Sequence, residues 1–266
     1  MQDNLSQYHD LQIRLNSFDK ITLEEMGKVK LMNRIDTKYV TTLKSLLQLL
    51  ELARGEYMVQ TIDGECNLPY YTLYFDTVDY RMYTDHQRGK KTRKKIRVRR
   101  YESTRQSFLE VKSKNNKGRT KKKRVQCNLE EVDTKGDFIA SHSPFHHSAL
   151  RRCIENRFNR ITLVNRHMTE RLTIDTRLRF NNLSRHGKLS LPDIAIIELK
   201  RDGNIPSPII PMLAALRIRP SGFSKYCMGM ALTDPTLKQN RFKEKLRYIE
   251  RTMTVERGED AWRTLL

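Results

Sequence analysis

The stretch Lys95-Ile96-Arg97-Val98-Arg99-Arg100-Tyr101, followed closely by Phe108-Leu109-Glu110-Val111-Lys112-Ser113-Lys114, most constrains how this chain can fold. Side chains alternate along a strand, so Arg97 and Arg99 share one face while Ile96 and Val98 share the other. In the second run Glu110, Lys112 and Lys114 share a face, opposite Leu109 and Val111. Two neighbouring strands built this way must bury their apolar faces and set their cations side by side. Such a ladder of positive charge suits a chain of phosphates.

Charge is concentrated in the same region. The net charge of +20 favours anionic partners, and residues 88 to 124 carry 18 Lys or Arg against Glu102 and Glu110 alone. The remainder of the chain is close to balanced. With 266 residues, 38% of them hydrophobic, the chain is long enough to bury a proper core. It reads as a single unit over 1–266, with a core at about 20–233 and a C-terminal helix at about 237–257. Cys66, Cys127, Cys153 and Cys227 lie far apart without a paired spacing, which points to isolated buried thiols rather than a zinc site or disulfides. The first residues lack a signal-peptide profile, and no apolar run approaches the ~20 residues needed to span a bilayer. The expected location is cytoplasmic, and any work at a membrane would need a membrane-protein partner.

Periodicity sketches the rest. Thr22 and Glu25 form a capping box for a short helix over 22–28. Strands are expected at 32–40, 70–75, 93–101, 107–113, 120–127, 158–166, 170–180 and 193–200, with Asn115-Asn116-Lys117-Gly118 as a turn. Helices are expected at 42–52, 78–86, 129–157 with a break at 141–144, 207–216, 223–232 and 237–257. Such an order implies an α+β domain around a large antiparallel sheet or barrel.

Charge-rich faces recur on six strands. Arg171, Thr173, Asp175, Arg177 and Arg179 share one face by simple alternation; Ile196, Glu198 and Lys200 share another, as do Arg34, Asp36 and Lys38. One such strand is ordinarily a solvated surface. Six together fit a closed sheet with apolar residues outward against helices and charges lining a wet, positive interior.

Several segments occur in an order that resembles a known family: Arg34-Ile35-Asp36-Thr37-Lys38, Leu73-Tyr74-Phe75-Asp76-Thr77, Lys95-Ile96-Arg97-Val98-Arg99, Leu109-Glu110-Val111-Lys112, Arg171-Leu172-Thr173-Ile174-Asp175-Thr176, Ile197-Glu198-Leu199-Lys200 and Ser221-Gly222-Phe223-Ser224-Lys225-Tyr226. Together they look like the polyphosphate polymerase domain of the vacuolar transporter chaperone (VTC) family, within the CYTH-like triphosphate tunnel metalloenzymes. The resemblance covers about residues 20 to 233. It implies an eight-stranded antiparallel β-barrel flanked by helices, whose basic tunnel binds ATP and inorganic polyphosphate. Arg97, Arg99, Lys112, Arg171 and Lys225 are then the expected catalytic set. Arg34, Lys38, Lys114, Lys122, Arg124 and Lys200 are the expected substrate contacts, and Lys122 and Arg124 face inward if Val125 faces outward. Glu198 matches the family's metal-binding glutamate, with Mn²⁺ or Mg²⁺ as cofactor. Asp36 and Glu110 are read as balancing neighbouring cations.

The opening Arg34-Ile35-Asp36-Thr37-Lys38 departs from the Glu-x-Glu-x-Lys of the family's phosphatases, which favours the polymerase branch. The rival readings are a triphosphate hydrolase of the same fold and a non-catalytic polyphosphate or nucleic-acid binder. Arg119-Thr120-Lys121-Lys122-Lys123-Arg124 alone would pass for a nucleic-acid patch, but it ends in Val125 inside an expected strand, so no nucleic acid is expected. His142, His146 and His147 fit a loop and helix start better than a metal site.

Overall fold

The chain alternates short helices with long strands that pair into one sheet. In the computed structural model residues 2–27, 34–203 and 205–263 are described. The sheet is built from β1 (Asp19–Thr22), β2 (Arg34–Thr42), β3 (Tyr57–Thr61), β4 (Leu68–Thr77), β5 (Arg93–Tyr101), β6 (Gln106–Lys114), β7 (Thr120–Gln126), β8 (Leu150–Asn165), β9 (Glu170–Asn182), β10 (Gly187–Leu191), β11 (Ile194–Asp202) and β12 (Glu256–Arg257). The helices that bear on the site are α1 (Gln2–Asn16), α2 (Leu23–Met26), α3 (Leu43–Ala53), α4 (Arg81–Gln87), α5 (Gly136–His142), α6 (Ile209–Ala215), α7 (Lys225–Thr233), α8 (Lys243–Thr252) and α9 (Asp260–Arg263).

Eight strands form one antiparallel path, β7-β6-β5-β4-β8-β9-β11-β2. The path curls. Lys112 on β6 feels the charge of Glu198 on β11, and Lys95 on β5 feels Lys38 on β2, although these strands are far apart along the path. The expected barrel is therefore laid out, but among the described residues no ladder joins β2 to β7 and closes it.

Apolar side chains pack on the outside of the curl. Leu172, Ile174, Ile197 and Leu199 form one cluster with Leu11 and Leu15 of α1, Leu43, Leu46 and Leu50 of α3, and Leu213 of α6. Ile96, Val98, Leu109 and Val111 belong to a second cluster with Ile139 of α5. Helix α7 packs on β8, β9 and β10. Its Gly229 allows this, because a Cβ there would stand 2.5 Å from Phe180 Cδ1 and 2.8 Å from Ile154 Cδ1. Asp76 ties the assembly together. Fully buried, it accepts bonds from the backbone N–H groups of Thr77 (2.8 Å), Met82 (2.9 Å) and Tyr83 (2.9 Å) and from the Tyr226 hydroxyl. The segment around Asp76 thus anchors α4 and α7 to β4.

Three expectations need correction. Residues 150–157 are strand, not helix, and form the first half of β8. Their apolar residues at 150, 154 and 158 mimic helical spacing, but side chains pin them flat: Arg151 donates to Val78 O and Arg152 to Leu129 O, both at 2.9 Å. The helix expected at 237–257 is shorter, confined to α8, and gives way to β12. Finally, the alternation along β9 breaks. Arg177 takes a left-handed backbone (φ 52) where the pairing with β8 shifts register between Arg157 and Asn159. This bulge sends Arg177 and Arg179 to the outer face, where Arg177 stacks on Tyr8 of α1, and leaves Arg171, Thr173 and Asp175 inside. The capping box of Thr22 and Glu25 and the turn at Gly118 (φ 79) are present as read. All four cysteines are buried and free.

Candidate functional site

Cross-strand register sets the inner face row by row. Asp36, Lys200 and Arg171 lie opposite one another on β2, β11 and β9; Lys38, Glu198 and Thr173 form the next row; Asp175 and Arg160 follow on β9 and β8. On the other wing Tyr74, Arg97, Glu110 and Arg124 make one row, and Lys95, Lys112 and Lys122 the next. Residues directly opposite in a ladder share a face, so these side chains crowd into one interior.

Three carboxylates organise it, each held between two cations. Glu110 is fully buried and takes the Arg97 fork at 2.6 and 2.8 Å on one oxygen and Lys122 at 3.2 Å on the other. Asp175 takes the Arg160 fork at 2.6 and 2.8 Å, together with Lys225 from the first turn of α7. Glu198 is bound by Lys38 on one oxygen and by Lys200 at 3.0 Å on the other. Each clamp joins two separate elements, so the carboxylates fix the cations as much as they neutralise them. Burial alone would raise all three carboxyl groups. The charges of Arg97, Arg99 and Lys122 on Glu110, of Arg160 and Lys225 on Asp175, and of Lys200 and Lys38 on Glu198 win, holding them well below the usual carboxylate range.

Cations remain in excess. Arg99 is buried with its Nε unpartnered, and its guanidinium lies 5.8 and 5.9 Å from the Tyr70 and Phe158 rings. Lys112 is driven well below the usual lysine range, first by Arg97, then by burial and by Arg99. Burial, opposed by Asp175 and reinforced by Arg160, brings Lys225 down to about 8; burial likewise brings Lys95 and Lys200 to about 8. Cations crowded out of water without enough carboxylates are poised for a polyanion.

A match to the family model of the VTC domain spans residues 33–234, most of the chain. This chain belongs to the VTC domain family. Among solved structures it is similar to an adenylyl cyclase candidate from Hippeastrum, described as showing a dominant triphosphatase activity, with a TM-score of 0.51 at 13% identity over 74% of this chain and 95% of that one. It is also similar to an adenylate cyclase candidate from Bacillus halodurans, with a TM-score of 0.48 at 13% identity over 79% of this chain and 97% of that one. At such identities the likeness concerns fold alone, and that fold is the triphosphate tunnel. No curated protein matches the chain.

The interior of this VTC domain gathers Lys38, Arg97, Arg99, Lys112, Lys122, Arg171, Glu198, Lys200 and Lys225 from the expected set. Val125 packs against the apolar cluster, so Lys122 and Arg124 do share the Glu110 face. Arg124 stacks 4.6 Å from the Phe108 ring, and Lys114 lies toward the strand end, level with Arg93 and Thr120. Arg34 is placed opposite Asp202, but its side chain lies outside the described residues.

Sequence reasoning missed Arg160 and Lys95. Arg160 holds Asp175 and lies 5.1 Å from the Tyr70 ring; Lys95 donates to Ser224 Oγ, the cap of α7, at 2.9 Å. A signal existed for both. Lys95 is in phase with Arg97 and Arg99, and Arg160 is in phase with Phe158 on a strand whose start was misplaced.

The depressed lysines give a pH dependence with a definite sign. Below about pH 8 Lys95, Lys200 and Lys225 are protonated in the free protein; above it they lose protons. A bound polyanion raises them again, so binding takes up protons in that range. Triphosphate affinity should hold steady on the acid side of neutrality and fall as pH rises past about 8. Calorimetry in two buffers of different ionisation enthalpy should show net proton uptake there; proton release would contradict this account of the interior.

Proposed function

We propose that this VTC domain is a polyphosphate polymerase that transfers the γ-phosphate of ATP to the end of an inorganic polyphosphate chain. One observation carries the reading. Seven of the eight path strands, β4 alone excepted, together with α7 place cations on the inner face, and Glu110, Asp175 and Glu198 are each clamped between two of those cations. A surface that continuous matches an anion whose charge is spread along a chain.

The reaction needs no protein nucleophile. A terminal phosphate oxygen of the chain attacks the γ-phosphorus, the bond from that phosphorus to the β,γ-bridging oxygen breaks, and ADP leaves with the electron pair. The forks of Arg99 and Arg171 grip non-bridging oxygens, Arg97 and Arg160 add the N–H groups that Glu110 and Asp175 leave over, and Lys38, Lys112, Lys200 and Lys225 add adaptable point charges. Because Glu110, Asp175 and Glu198 hold their partners in place beforehand, little reorganisation is required as charge moves.

Among the described residues no three His, Cys, Asp or Glu side chains cluster to cage a metal. Glu198 offers a single carboxylate whose oxygens are held by Lys38 and Lys200, so it would hold Mg²⁺ or Mn²⁺ only as substrate phosphates draw a lysine away, the remaining ligands coming from phosphate oxygens and water. The ion would supply neutralisation of charge at the bridging and γ-phosphate oxygens. A membrane-protein partner belongs to the same proposal; no helix among the described residues is long and apolar enough to cross a bilayer.

A second reading, triphosphate hydrolysis, is favoured by the likeness to the Hippeastrum protein described as a triphosphatase. Incubation with ATP and Mn²⁺, with and without a short polyphosphate primer, followed by ³¹P NMR, separates the two. Growth of internal-phosphate signal in step with ADP is the expected result. Orthophosphate without chain growth would move the protein to the hydrolase branch, and tight binding without turnover would leave a receptor.

A further inference from the structure

The bulge in β9 has a counterpart on the outer face. Arg177 and Arg179, turned away from the interior, meet Arg157, which stands directly opposite Arg179 on β8. Two of these guanidinium groups are stacked on aromatic rings, Arg177 on Tyr8 at 3.9 Å and Arg157 on Trp262 of α9 at 4.7 Å. The Arg179 Nη1 reaches Trp262 O at 3.5 Å. Stacking fixes the planes of the forks.

Neutralising charge is short here. Among the described residues no carboxylate pairs with Arg157 or Arg177. The nearby Glu155 is already engaged by the Tyr71 hydroxyl at 2.6 Å and Asn181 at 2.7 Å, and Glu102 by Arg100 at 2.9 Å. The Nε of Arg177 is buried without a hydrogen-bond partner. Arg179 is pushed down by burial and by the charges of Arg177 and Arg157, with Glu256 opposing. The left-handed backbone of Arg177 is one that a residue other than glycine adopts only at a cost, and at this bulge it aims the guanidinium outward.

We propose that Arg157, Arg177 and Arg179 form a second anion site, on the outer face of the sheet, which takes a phosphate group flanked by Tyr8 and Trp262. The site is separate from the interior and stands whether or not the interior polymerises. Its ligand is phosphate-bearing: a free phosphate, or one phosphate of a longer chain.

Trp262 is the only tryptophan in the chain, so its fluorescence reports on this site. The test titrates the full chain with orthophosphate, inorganic triphosphate and long-chain polyphosphate. A saturable change in Trp262 emission is expected with at least one of them, and chain-length dependence tells which source is used. Arg157→Gln and Arg177→Gln should each weaken it by about ten-fold or more. Arg157→Lys, which keeps the charge and loses the fork, should fall between, with unchanged melting temperature. Arg99→Gln, a change in the interior, should leave the signal intact. Absence of any change with all three probes, or a response that survives both glutamine variants, would overturn the proposal.

Discussion

Replacing Glu198 by glutamine is expected to abolish turnover while leaving polyphosphate binding intact or slightly tighter. The side chain keeps its shape, so the fold should tolerate it. What changes is charge: Lys38 and Lys200 lose the carboxylate between them, and the interior becomes more positive. An anion would bind that surface at least as well. Turnover, in contrast, loses the carboxylate proposed above to hold a substrate-borne Mg²⁺ or Mn²⁺, and a fall of about 100-fold to 1,000-fold or more in kcat is expected. Binding measured by calorimetry and turnover by ADP release separate the two effects. Equal loss of both would count against a metal role and for a purely structural clamp.

Arg160→Ala is expected to damage both stability and binding. The change leaves Asp175, nearly inaccessible to water, with Lys225 as its remaining clamp. Breaking a buried pair by removing one partner costs about 3–5 kcal/mol, because an uncompensated charge stays behind. Triphosphate affinity should fall as well, by about ten-fold to 100-fold, as a guanidinium charge and its remaining N–H donors are lost from the interior. A second variant tells these effects apart. Arg160→Met combined with Asp175→Asn removes the carboxylate that would be left short of a partner and keeps an amide oxygen for Lys225, which should recover part of the stability. It should not recover the affinity. A double variant that binds triphosphate normally would show that Arg160 only positions Asp175.

The same pair marks the boundary between what could be read from the chain and what could not. Alternation in Lys95–Tyr101 and Gln106–Lys114 is strict, and a strand has only two faces, so the inward placing of Arg97, Arg99, Glu110 and Lys112 needed no structure. The order of the charged strands likewise carried the family and its fold. Three-dimensional pairing was needed wherever alternation fails or a side chain's partner is remote. Nothing in Arg171–Phe180 announces that Arg177 takes a left-handed backbone, because the bulge is a property of β9 paired with β8. The helical look of 150–157 is overruled by bonds to Val78 and Leu129, residues far away in the chain.

The sequence by itself determined that cations and a few carboxylates line one side of a curled sheet, since period-two patterning depends only on neighbours along the chain. Only the tertiary structure decided which cations each carboxylate clamps, that no ladder among the described residues joins β2 to β7, and that three arginines gather outside. Those outcomes depend on register and curvature, which arise when distant strands meet.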